Sequence, residues 1–318
     1  MTKNIIIDTD PGIDDALAIM LAAASPEVRI LGMTAVAGNT GLEYTAPNLA
    51  KIADLLGLDV PLGRGAVRPL WRRDTVPDSS VHGSDGLGGY QLPTSQRILE
   101  PAIPLLARLV EESDQPVTIV AIGPLTNIAL FINEYPETAR KVERIVIMGG
   151  GARDVLGNAT PTAEFNIYYD PDAAAAIFDF GVPVTMIGLD VTHKALVGSA
   201  HLAGLYASGG PIAQMVEGLL GHYGEHAYSG NDVDDALAQH DSLAVAAAFL
   251  PDIVTTEHLY VDVENVGRLT SGMTVVDFAG RTGRQPNCDV ALGVDADRFS
   301  SLLADRLTRL DATLKENS

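Results

Sequence analysis

The chain has 318 residues, with 41 Asp and Glu against 21 Lys and Arg, a net charge of −20. Such a surface repels phosphate backbones and anionic bilayers, so neither nucleic acid nor a membrane is an expected partner. Apolar residues make up 47%, which excludes a disordered or fibrous chain and suits a large α/β protein with a sizeable core.

In chain order, apolar runs fall at Ile5–Ile7, Ile30–Val36, Val60–Leu62, Val117–Ile122, Ile145–Met148 and Val184–Leu189. Most are continuous rather than alternating, the pattern of parallel strands covered on both faces. Helical periodicity lies between them, over 14–24, 42–56, 98–112, 125–133 and 172–180. This rhythm predicts a layered α/β fold with a mainly parallel central sheet flanked by helices. Residues 199–250 read as mostly helical, a cap over the sheet's edge. Short strands are expected at Leu259–Val263 and Thr274–Val276, and a last helix near 296–314. No linker or repeat divides the chain, so 1–318 is expected to be a single domain. A lone cysteine, Cys288, and a charge at Asp8 too early for a secretory leader fit a cytoplasmic protein. No apolar run approaches the length of a bilayer span.

The stretch Ile5-Ile-Ile-Asp8-Thr9-Asp10-Pro11-Gly12-Ile13-Asp14-Asp15-Ala16 places four carboxylates within eight positions, directly after a strand. Like charges so close repel unless a cation neutralises them, and an all-oxygen donor set favours a hard ion, Ca²⁺ or Mg²⁺. The competing cause is a solvated acidic turn that caps a helix. Further polar groups follow other strands: Gly38-Asn39-Thr40, Gly123-Pro124-Leu125-Thr126-Asn127, Met148-Gly149-Gly150 and Asp190. All belong at the carboxyl ends of strands, where open α/β sheets bind ligands. Asn158, Glu164 and Asn166 offer amide and carboxylate groups suited to sugar hydroxyls, with Glu164 and Asn166 expected on one face of an extended segment. His82 sits in a glycine-rich stretch expected to be a mobile loop. His240-Asp241 precedes an apolar helix and could supply a distant carboxylate, although an N-cap Asp beside a surface His is the simpler reading in isolation.

Taken together, these motifs resemble the inosine–uridine type of nucleoside hydrolase over almost the whole chain. The resemblance implies hydrolysis of the N-glycosidic bond of ribonucleosides to base and ribose, in nucleoside salvage or catabolism. It also implies calcium held by Asp10, Asp15, the Thr126 carbonyl and Asp241. Asp10 would take a proton from the calcium-bound water, and the transition state would be oxocarbenium-like. Asp14, Asn39, Asn158, Glu164 and Asn166 would hold the ribose, with Met148 on its apolar side. His240 would assist departure of the base, with His82 and the stacking residue Tyr228 close by and Tyr223 a weaker candidate. A homodimer or homotetramer is the family expectation.

Two rivals compete. A haloacid dehalogenase-type phosphatase would use Asp8 and Asp10 with a later acidic motif, for which Gly188-Leu189-Asp190 is a poor match. A non-catalytic nucleoside-binding or ribose-binding protein of the same fold is the other. If metal and carboxylates grip the ribose, 2′-deoxyribonucleosides are poor substrates. Comparable turnover of 2′-deoxyinosine and inosine, followed by base release, would contradict that grip.

Overall fold

The computed structural model describes residues 2–72, 79–226 and 236–316. Thirteen strands occur among them: β1 (Lys3–Thr9), β2 (Val28–Ala35), β3 (Leu62–Arg64), β4 (Glu100–Pro101), β5 (Val117–Ala121), β6 (Arg144–Met148), β7 (Val184–Ile187), β8 (Leu196–Val197), β9 (Leu237–Ala238), β10 (Val254–Leu259), β11 (Val261–Glu264), β12 (Met273–Val276) and β13 (Cys288–Val294). Nine form one sheet in the order β10-β13-β7-β6-β5-β1-β2-β3-β4. Every pairing in it is parallel except β10 with β13.

Side-chain alternation along β1 divides the interior. Ile5 and Ile7 join the core on one face, with the helices Ile13–Ala23, Leu42–Leu55 and Ala296–Glu316. Ile6 joins the other, with Ile119, Ile147 and the helices Ala102–Glu112, Thr126–Glu134 and Pro171–Phe180. Both faces are covered, which is why the strands read as unbroken apolar runs.

The predicted sheet and its flanking helices are present. The described residues of 199–250 are mostly helical, with β9 among them, but the helices divide. Helix His240–Phe249 packs on β6 and on Ile13–Ala23, so it belongs to the face layer rather than to the sheet's edge. Helices Ser199–Ser208 and Pro211–His226 form an outer layer on Ala296–Glu316, and the second of them reaches the short helix Ser79–His82. Strand β4, the β8–β9 pair and helix Phe165–Tyr169 have no counterpart in the sequence pattern, and the strand expected at Leu259–Val263 is broken at Tyr260 between β10 and β11. β4 has two residues, one of them proline, and Phe165–Tyr169 is a single short turn. No helix among the described residues is long and apolar enough to cross a membrane.

From β1 the chain builds outward through β2, β3 and β4, then returns to place β5 on the other side of β1. The carboxyl ends of β1 and β5 therefore flank a topological switch point, where the diverging connections leave a crevice.

The outer layer is tied down by one buried carboxylate. Asp311 of the last helix accepts from Ser208 Oγ (2.5 Å) and from the backbone N–H groups of Gly210 (3.1 Å), Ile212 (2.8 Å) and Ala213 (3.2 Å). It thus caps helix Pro211–His226 from another part of the chain. Asp311→Ala should lower the unfolding free energy by about 2–4 kcal/mol, because those donors lose a charged acceptor. Turnover per folded molecule should be kept. Urea unfolding checks this, and an unchanged midpoint would deny Asp311 that role.

Candidate active site

The crevice is built at backbone level around Asp10, the first residue beyond β1. Gly38 follows β2 and Gly123 follows β5; a Cβ on Gly38 would lie 2.0 Å from Asp10 Oδ2, and one on Gly123 2.5 Å from Asp10 Oδ1. Only glycine leaves room for that carboxylate at either neighbour. The Asn39 N–H donates to Asp10 Oδ2 at 2.7 Å, while Oδ1 is buried without a hydrogen-bond partner.

Asp14 and Asp15 occupy the first turn of helix Ile13–Ala23, where the helix dipole favours negative charge. Asp15 Oδ2 accepts from the Gly12 N–H (2.9 Å) and from Asn39 Nδ2 (3.1 Å), and the Thr9 hydroxyl donates to Asp15 Oδ1. Asp241 lies in the first turn of helix His240–Phe249. Among the described residues, oxygens of Asp14, Asp15 and Asp241 lie within 4.8 Å of one another and could hold a metal ion. Asp10 stands outside this tightest group, yet its charge acts on Asp241 and it feels Asp14 and Asp15. The all-oxygen donors and the orphaned Asp10 oxygen fit a hard cation. Thr126, also buried, opens helix Thr126–Glu134, and its hydroxyl donates to Asp170 Oδ2 at 2.6 Å.

Glu164 and Asn166 do not share the extended segment that the sequence pattern suggests, because the helix begins at Phe165 between them. Glu164 caps helix Phe165–Tyr169, accepting from the N–H groups of Asn166 (2.9 Å), Ile167 (3.1 Å) and Gly150 (3.0 Å). Asn166 Nδ2 donates to the carbonyls of Ile122 and Met148, both at 3.1 Å, and so bridges the ends of β5 and β6. Met148 is buried beside it. Asn158 is exposed, its Oδ1 accepting from the Phe165 N–H at 2.9 Å.

The stretch around His82 is a locked turn, not an open loop. Asp85 Oδ1 accepts from the Leu87 and Gly89 N–H groups, Asn48 Nδ2 donates to the Asp85 carbonyl, and Gly86 has a φ of 82° that favours glycine. His82 is buried, and its Nδ1 accepts from the Ile13 N–H at 3.1 Å, which leaves its neutral-state proton on Nε2. Tyr223 stands 5.9 Å from it, ring to ring. Tyr228 lies outside the described residues. His240 is half-buried, with Nδ1 2.8 Å from Thr192 Oγ1 and its ring edge-on to His193 at 5.6 Å.

Asp8 takes no part in the cluster: Asn127 Nδ2 (2.7 Å) and Thr34 Oγ1 donate to its Oδ1. Asp190, which a phosphatase would need for a metal, is filled by the N–H groups of Ala152, Arg153 and Asp154. Thr192, His193 and Thr34 carry no motif, so sequence reasoning missed them; Asn127 stood in a recognised motif without a role.

Burial dominates the electrostatics. It raises Asp14 and Asp15 to about 6 and Asp8 and Glu164 to about 7. It also holds Asp10 and Asp241 well above the carboxylate range, helped by neighbouring negative charge. Loss of solvent, then His193 and His82, lowers His240 to about 3, so its imidazole is neutral.

Buried carboxylates and amides line a crevice at the switch point beside two histidines, a donor and acceptor set suited to a hydroxyl-rich ligand. The chain belongs to the inosine-uridine preferring nucleoside hydrolase family, whose model matches residues 5–301, and it is a ribonucleoside hydrolase. It is 46% identical over 310 residues to the pyrimidine-specific ribonucleoside hydrolase RihA of Salmonella typhimurium, covering 96% of this chain and 99% of that protein. It superimposes on a purine-preferring ribonucleoside hydrolase from Gardnerella vaginalis with a TM-score of 0.91 at 32% identity, covering 98% and 100% of the two chains. For a plant nucleoside hydrolase the TM-score is 0.90 at 34% identity, covering 97% and 99%.

Carboxyls raised by burial bind more protons in the folded than in the unfolded chain between about pH 4 and pH 7. Their contribution to stability is therefore full at low pH and is lost as pH rises through the folded values. Chelated protein should lose stability from pH 5 to pH 8, and a hard divalent cation such as calcium, if held by the carboxylates, should restore most of it at the upper end, where they are ionised. Urea midpoints across that range, with chelator and with calcium, measure this. A chelated protein equally stable at both ends would contradict the buried-charge account.

Proposed function

We propose that the chain hydrolyses pyrimidine ribonucleosides, uridine and cytidine foremost, as a cytoplasmic single-domain subunit of a homodimer or homotetramer. We assign Ca²⁺ to Asp10, Asp15, the Thr126 carbonyl and Asp241. The grouping of buried carboxylates at the switch point carries this reading. The identity to pyrimidine-specific relatives supports the choice of base.

Lewis acidity toward water and the ribose hydroxyls is the chemistry that calcium would supply when bound. Asp10 takes the proton of the attacking water; its unpartnered Oδ1 suits a base. Asp14, Asn39, Asn158, Glu164 and Asn166 hold ribose hydroxyls, with Met148 against the apolar side of the sugar. As the C–N bond breaks, its electron pair leaves with the base and positive charge grows on the ribose ring. The surrounding carboxylates and amide oxygens favour that cation. His240 donates a hydrogen bond to the departing base, beside His82. Direct attack by water inverts the anomeric carbon.

Incubation with uridine, cytidine, inosine and adenosine, with calcium and after chelation, tests the proposal by chromatography of base and ribose. Release from uridine and cytidine, lost on chelation, is expected; release from inosine alone would overturn the choice of base. Asp10→Ala should reduce turnover by about 10³-fold. His240→Ala should slow uridine far more than p-nitrophenyl riboside, whose leaving group needs no proton. Equal losses on both would make His240 structural.

A further inference from the structure

We propose that Thr192 is a positioning residue for the departure of the base: its hydroxyl donates to His240 Nδ1 and so keeps the ring proton on Nε2. This rests on the reading that His240 serves the leaving group.

A neutral imidazole has one N–H and one lone pair, and the partner of one nitrogen decides which face donates. Thr192 Oγ1 lies 2.8 Å from Nδ1. Thr192 ends the short helix Leu189–Thr192 and is fully buried, so its hydroxyl proton cannot be given to bulk water. In a helix the usual alternative acceptor is the carbonyl four residues back. That carbonyl, of Gly188, already accepts from the N–H groups of Val191 and Thr192, both at 3.1 Å. The Leu189 carbonyl, three residues back, accepts from the His193 N–H at 3.2 Å, and His240 Nδ1 is the partner that the structure gives the hydroxyl. With the roles reversed, Nε2 would offer the departing nitrogen a lone pair, and no hydrogen bond could be donated to it.

The distance between the two side chains is set by backbone. β8 pairs antiparallel with β9 through Leu196–Ala238 and Val197–Leu237. The Gln239 N–H donates to the Ala195 carbonyl at 3.0 Å, and the Ala195 N–H donates to the Thr192 carbonyl at 3.1 Å. These bonds join the segment that carries Thr192 to the residue before His240. The edge-on ring of His193 closes one further side of the imidazole.

The test compares Thr192→Val, which keeps the shape and removes the hydroxyl, with Thr192→Ser, which keeps the hydroxyl, in the calcium-loaded enzyme. Thr192→Val should lower kcat for uridine roughly ten- to a hundredfold with little change in KM, about what one hydrogen-bond donor to a developing charge contributes. Turnover of p-nitrophenyl riboside should stay within about twofold, because its leaving group does not depend on that hydrogen bond. Thr192→Ser should restore uridine turnover. Nitrogen-15 spectra, with the His240 signal assigned by its loss in His240→Ala, should show the proton on Nε2 in the parent protein and on Nδ1 in part of the Thr192→Val molecules. Unchanged uridine turnover in Thr192→Val, equal losses on both substrates, or a parent protein with the proton on Nδ1 would each overturn the inference. If His240→Ala itself fails to distinguish the two substrates, the leaving-group reading falls. If it distinguishes them and Thr192→Val does not, only the role of Thr192 falls.

Discussion

Mutual repulsion among buried carboxylates is the constraint on which this structure turns. Asp241 feels Asp14, Asp15, Asp10 and Glu164, and none of these has solvent to screen it. The fold meets the repulsion with the starts of helices: Asp14 and Asp15 in one first turn, Asp241 in another, Glu164 capping a third. Each carboxylate thereby meets the positive end of a helix or a set of backbone N–H groups. What remains uncompensated is available to a cation or to a ribosyl ring that becomes cationic.

The crowding also explains the glycines. Gly38 and Gly123 come from strands on opposite sides of β1, and the Asp10 carboxylate fills the space their missing side chains leave. Strand order and carboxylate placement are thus one fact: without the reversal at β1 the two glycines could not meet at the same residue.

Much of this was legible in the sequence because it is local. Ile5–Ile7 announces a doubly covered strand, and Asp10 to Asp15 announce a charged strand-to-helix turn. The short elements were not legible. Two residues of β4 and a five-residue helix at Phe165 are held by neighbours rather than by periodicity. Glu164 and Asn166 illustrate the limit: their spacing suits an extended face, but backbone N–H groups near Glu164 make it a cap instead. Asp190 is a similar case. Its place at a strand end suggests chemistry, and only the three N–H groups around it assign it to anchoring the 152–154 loop. The Thr192–His240 contact spans 48 positions, joins a motif histidine to a threonine in no motif, and depends on a two-residue ribbon.

Asp10 and Asp241 stand 231 positions apart, and their proximity bears on how the protein is made. During synthesis, Asp10, Asp14 and Asp15 leave the ribosome with β1 and its helix, while β7, β8 and β9 must follow before Asp241 appears. The early acidic turn stays hydrated through most of elongation, because the helix that closes over it, His240–Phe249, does not yet exist. The charge conflict is therefore postponed until a nearly complete sheet is there to withstand it, and cation uptake belongs to the last stage of assembly.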